Sequence, residues 1–179
     1  VQNSYATEIG KSGGLAGVIN WTQEISRDTS IHNLLRLQGI QEWYVNPDHA
    51  YALIFFSNDL LVLISYLIPA AAILALIVCK PQERTRTAAI FLVGLASILL
   101  MAGSHAPFGY FYIFLLNKLP GFIAFRTPFY KFAPGLWFSF SLLLGLFISH
   151  ILSYKRVRII PDAITRVAII TLILAYSFP

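Results

Sequence analysis

The run LLVLISYLIPAAAILALIVC, from Leu60 to Cys79, contains no charged residue and no continuous polar stripe. A bilayer hydrocarbon core about 30 Å thick is crossed by about 20 mostly apolar residues in a helix. A core helix of a soluble domain would instead show an apolar face opposite a polar one. The run therefore reads as a membrane helix. Working outward, three further apolar runs follow, at Ala88 to Gly103, about Pro134 to Leu152, and Ala163 to Phe178. The whole chain of 179 residues is 57% hydrophobic and 12% charged, whereas a soluble domain carries about 25% charged residues. This distribution excludes a soluble globular domain.

The expected fold is all-α: a polytopic transmembrane bundle of about four membrane helices, near 58–79, 87–104, 133–153 and 162–178. Ser57, Asn58 and Asp59 offer caps for the first helix, and Pro69 inside it removes a backbone donor and predicts a kink. Residues 1–57 read as an amphipathic segment, with a short helix over Leu15 to Ile25 and a second over Ile31 to Trp43. Asp28, Thr29 and Ser30 precede that second helix as N-cap candidates. Trp21, Trp43, Tyr44 and Tyr51 suit a bilayer surface. Between the second and third helices, residues 105–132 are aromatic and apolar but broken by Pro107, Gly109, Pro120, Gly121 and Pro128. Such a loop predicts a re-entrant or interfacial segment, with a helix over Phe108 to Leu119 too short to span.

The net charge is +5, and its placement decides its meaning. Lys80, Arg84 and Arg86 sit in one short connection, and Lys155, Arg156 and Arg158 in another. Cytoplasmic loops carry such an excess. Both connections are therefore expected inside, which puts residues 1–57 and 105–132 outside a multi-pass plasma-membrane protein. The charge points to the bilayer rather than to nucleic acid. The chain has no initiator Met and ends on an apolar run, so it reads as a fragment of a longer protein.

Little in the sequence carries chemistry. His, Cys and carboxylates show no metal-ligand spacing, and no Gly-rich phosphate loop is present. The exception is the stretch Phe125-Arg126-Thr127-Pro128-Phe129-Tyr130-Lys131-Phe132, where two cations stand among aromatics. A cation in apolar surroundings is costly without an anionic partner. Arg126 presents a planar fork suited to phosphate, and Lys131 a point charge. Lipid headgroups satisfy such side chains equally well by snorkelling. His105, where the second membrane helix meets the loop, is a further candidate for substrate contact or proton transfer, against the plainer role of closing a helix end.

The stretches Gly103-Ser104-His105-Ala106-Pro107-Phe108-Gly109, Lys118-Leu119-Pro120-Gly121-Phe122, and Phe125-Arg126-Thr127-Pro128 with Lys131-Phe132 resemble an outer segment of the GT-C superfamily of polytopic membrane glycosyltransferases. The resemblance is to the alpha-(1→3)-arabinofuranosyltransferase type and spans about residues 20 to 150. It implies transfer of a sugar from a polyprenyl-phosphate donor to a glycan or lipid acceptor on the extracytoplasmic face. Arg126, Lys131 and His105 would then contact substrate. The acidic catalytic residue, and any divalent metal in the full protein, are expected outside this stretch, which needs no cofactor of its own. A transporter or flippase for a lipid-linked or anionic substrate, and a noncatalytic membrane subunit, are the alternatives.

Overall fold

The computed structural model describes residues 13–45, 54, 56 and 58–153. The expected fourth membrane helix, the basic connection before it, and Asp48, His49 and Tyr51 lie outside the described residues. Among the described residues every regular element is helical: α1 Gly14–Ile25, α2 Ile31–Leu35, α3 Glu42–Val45, α4 Asp59–Ser65, α5 Leu67–Val78, α6 Arg84–Met101, α7 Gly109–Lys118, a 3-10 turn Phe122–Phe125, and α8 Pro128–Ser153. Three stretches are long and apolar enough to cross a membrane: Asp59–Val78, Arg84–Met101 and Pro128–Ile151.

These helices begin and end where the backbone chemistry dictates. Asn58 caps α4, its side-chain oxygen accepting from the N–H groups of Leu60 at 3.0 Å and Leu61 at 3.2 Å. Asp59 adds a negative charge to the first turn, where the helix dipole favours it. Pro69 has no N–H for the carbonyl of Ser65, and the helix is interrupted at Tyr66, dividing α4 from α5. The third spanning helix starts at Pro128, earlier than residue 133. Proline is at home at a first helical position, and Pro134, one turn and a half further on, leaves only the Tyr130 carbonyl without its intrahelical partner.

The helix expected over Ile31 to Trp43 is the largest departure. It stops at Leu35. Ser30 does cap its start, accepting from the Asn33 N–H at 3.3 Å. Its end is a Schellman motif: the Gln38 N–H reaches the Asn33 carbonyl at 2.8 Å and the Leu37 N–H the Leu34 carbonyl at 3.0 Å. Leu37 adopts a φ of 62°, a left-handed conformation that a non-glycine residue takes only when its surroundings demand it. The demand comes from Gly39, whose Cα sits so close to the side chains of Leu34 and Phe129 that a Cβ would lie 2.7 Å and 2.9 Å from them. Tertiary packing overrides the helical periodicity.

The chain divides into two compact units, one from Val1–Val45 with Leu95–Leu136, the other from Asn46–Gly94 with Trp137–Pro179. In the second, the Ser139 hydroxyl donates to the Ile90 carbonyl at 2.5 Å, and His150 Nε2 lies 3.1 Å from Glu83 Oε2. Residues close to 150 on α8 thus pair with residues close to 83, and 139 with 90, an antiparallel register. In the first unit Ser97 lies so near Gly135 that a Cβ there would meet its hydroxyl at 2.5 Å. Small residues permit such close backbone approach between membrane helices, where apolar burial supplies no drive to association. Gly135→Val should therefore cost about 1–3 kcal/mol by overpacking, read as a lower detergent concentration for unfolding of the purified protein. An unchanged midpoint would mean that the approach is looser than described.

The outer surfaces of these helices are apolar. Leu63 and Ile77 are each 67% exposed, Leu92 60% and Phe138 62%. Water would penalise this arrangement, and acyl chains do not. The exposed faces, more than the buried ones, identify the surroundings for which the helices are built.

Candidate functional site

The sequence candidates fall in the first unit, and its packing explains how they come together. The last carbonyls of α6 have no intrahelical partners. Thr29, fully buried, supplies one: its hydroxyl lies 2.8 Å from both the Ala102 and Ser26 carbonyls and shares its single proton between them. This docks the end of α1 on the end of α6. The chain then turns at Gly103, whose φ is 57° and whose Cα faces Pro128 and the Ser26 hydroxyl with no room for a Cβ. A second tight point is Gly109, against the Ser104 backbone. Between the two lies His105, part-buried, its Nδ1 2.7 Å from the Ala106 carbonyl. With that nitrogen donating, the neutral ring leaves Nε2 as an acceptor.

The stretch that follows is held by aromatic contacts. Tyr112, Leu116 and Phe122 form a buried cluster. Tyr112 meets Phe122 edge-on at 5.2 Å, Phe122 lies 5.2 Å from Phe125, and Phe125 stacks on Phe132 at 5.3 Å. The Tyr112 hydroxyl donates to the Phe125 carbonyl at 2.5 Å, and burial pushes its phenol well above the ordinary tyrosine range. Arg126 follows directly, part-buried, and α8 begins two residues later. Lys131 is exposed in the first turns of α8. Its neighbour Tyr130 donates a short hydrogen bond to Glu42 of α3.

Thr22 joins the two motifs. Its hydroxyl lies 3.1 Å from the Arg126 carbonyl and 2.9 Å from the Val18 carbonyl, while its own carbonyl accepts from the Ser104 hydroxyl at 3.3 Å. The stretches 103–107 and 125–128, distant in sequence, are therefore anchored on one residue of α1. His105 lines an open cleft of about 530 Å³ whose other wall is the exposed face of α1. Arg126 and Lys131 are not among the residues lining it. The three predicted residues thus share a unit but not a cavity.

Sequence reasoning passed over several residues here. Thr22 and Thr29 are buried anchors, and only the fold reveals which carbonyls they serve. Asn20, Gln23, Glu24 and Arg27 recur at helical spacing, opposite the buried Val18, Thr22 and Ile25. That periodicity was the available signal. His150 gains Glu83 as a partner, which no local pattern announces.

A polar cluster underlies α2 and α3. Arg36 is only 6% exposed and lies 3.5 Å from His32 Nε2. The Tyr44 hydroxyl donates to the Gln38 carbonyl at 2.8 Å. Burial, and after it the Asp28 carboxylate, push the Tyr44 phenol up to about 12 against the pull of Arg36. An unfolded tyrosine ionises near 10. The stability tied to the neutral phenol is thus fully present below pH 10 and is lost as pH rises from there through about 12. An ultraviolet difference titration of the protein against Tyr44→Phe should show a missing ionisation step near the upper end of that window. A missing step at the ordinary tyrosine value would contradict the burial.

Among the described residues, no three His, Cys, Asp or Glu side chains come together as metal ligands. Comparison with models of known protein families, with curated proteins and with solved structures yields no match for this chain. The functional reading therefore rests on its own residues.

Proposed function

We propose that the chain forms part of a membrane glycosyltransferase that takes a sugar from a polyprenyl-phosphate-type lipid donor on the extracytoplasmic face of the cell membrane. The observation that carries this reading is the position of Arg126 and Lys131 on either side of the start of α8 at Pro128. A helix start has free N–H groups and the positive end of the dipole, both suited to an anion. No acidic residue occupies the first turn of this helix, although the Glu42 carboxylate of α3 accepts from Tyr130 there. A fork-shaped donor, a point charge and a helix terminus then favour the same ligand, a phosphate at headgroup depth. Breaking the sugar–phosphate bond leaves negative charge on the departing phosphate, and fixed cations in a water-poor site stabilise that charge. Tyr110 is 93% exposed, with Phe111 at 58% and Phe114 at 55%, on the neighbouring α7 of the same unit. Such an apolar surface suits an isoprenoid chain entering from the bilayer.

The Glu83–His150 pair supports the orientation. It brings the basic connection 80–87 close to the late part of α8, just before the second basic stretch in sequence. A basic connection at the end of this helix pair is what the positive-inside bias expects of a cytoplasmic loop.

The test is binding of a polyprenyl phosphate against the corresponding polyprenyl alcohol, with the protein in nanodiscs. The phosphate should bind at least about tenfold more tightly, a difference of about 1.4 kcal/mol. Equal affinity for the two lipids would remove the phosphate from the proposal.

A further inference from the structure

We infer that the cleft beside His105 is a saccharide-binding site. Asn20, Gln23, Glu24 and Arg27 project along one face of α1, and Ser104 and His105 stand opposite. The space of about 530 Å³ between them lies within the range of small-molecule sites. Two side-chain amides, a carboxylate, a guanidinium and an imidazole give closely spaced donors and acceptors. Neighbouring hydroxyls on a sugar ring each donate one bond and accept others, and this mixture matches that pattern. A phosphate would require donors alone, and Glu24 opposes one.

Ser26 also belongs to the lining, but its hydroxyl is closed to solvent and packs on Gly103, so it supports the floor of the cleft and offers no contact to a ligand. Glu24 and Arg27 meanwhile lie 3.4 Å apart as an exposed pair, and Arg27 Nε also lies 3.7 Å from the Asp28 carboxylate. The assignment of this sugar as the acceptor rests on the proposed glycosyl transfer, whereas the binding itself does not.

The experiment is saturation-transfer NMR on the membrane-embedded protein with free saccharides, maltose, lactose and sucrose among them, in the absence of any phosphorylated lipid. Its outcome is thereby independent of Arg126 and Lys131 and of the lipid-phosphate test above. At least one sugar should bind with a Kd on the order of a millimolar. The doubly substituted Gln23→Ala, Glu24→Ala protein should bind it at least about tenfold more weakly. Both positions are exposed, so the fold survives their truncation. Ser26→Ala should raise the unfolding midpoint of the protein, because it removes an unpaired buried group, and should leave sugar binding unchanged. Absence of binding by every sugar, undiminished binding by the double variant, or displacement of the sugar by inorganic phosphate would each overturn the inference.

Discussion

Arg126→Ala should lower the proposed sugar transfer by about a hundredfold, in line with the loss of one fixed donor to developing charge in a water-poor site. The side chain is part-buried, so its charge is less screened than that of a surface arginine. The backbone carbonyl of residue 126 accepts from Thr22 at 3.1 Å and joins it to α1. Alanine keeps that carbonyl, and the variant should be expressed and folded normally. The fall should appear mostly in kcat, since the charge on the leaving phosphate grows toward the transition state. Arg126→Lys should recover part of the rate, keeping the charge but losing the planar fork. Lys131→Ala should cost less, because Lys131 is exposed and water already screens it. Unchanged transfer by a well-expressed Arg126→Ala protein would withdraw the role assigned to this residue.

Gly103→Ala should destabilise the protein by about 3 kcal/mol, through conformational strain and overpacking together. Its φ of 57° is unfavourable for any residue with a Cβ, and that Cβ would strike Pro128 and the Ser26 hydroxyl. Gly121 provides the internal comparison. It has a φ of 81° but nothing within 4 Å of a Cβ position. Gly121→Ala therefore carries strain without a clash and should cost about 1 kcal/mol. The difference between the two variants isolates the packing at the junction of α6, α8 and the end of α1. Displacing Gly103 also pulls Ser104 from the Thr22 carbonyl, which loosens one wall of the cleft beside His105. Equal unfolding midpoints for the two variants would mean that this junction yields easily.

Three of the four expected apolar runs are helices among the described residues, legible because their signal is length and apolarity, which need no partner to be read. Leu60 to Cys79 announces its helix, and Asn58 its start. The Pro69 interruption was legible too, since the lost hydrogen bond is local. Pro134 was misleading: the helix starts at Pro128 because a proline inside a membrane helix costs one carbonyl partner and does not end the helix. The early end of α2 was hidden, because Gly39 packs on Phe129, 90 positions away, and only the fold brings these residues together. The cations at 126 and 131 were visible as charge in apolar company. Their relation to the start of α8 was not, because it depends on where that helix begins. Thr22 looked like any polar residue of a surface helix until its three hydrogen bonds were placed.

The central claim is that Arg126 and Lys131 stand on the extracytoplasmic side, opposite the connection between α5 and α6. Single cysteines at Lys118 and Gln82, both exposed, in a Cys79→Ala background, allow a direct test by a membrane-impermeant maleimide. Lys118→Cys should be modified in intact cells, and Gln82→Cys only after the membrane is permeabilised. Modification of both from the same side would contradict the account.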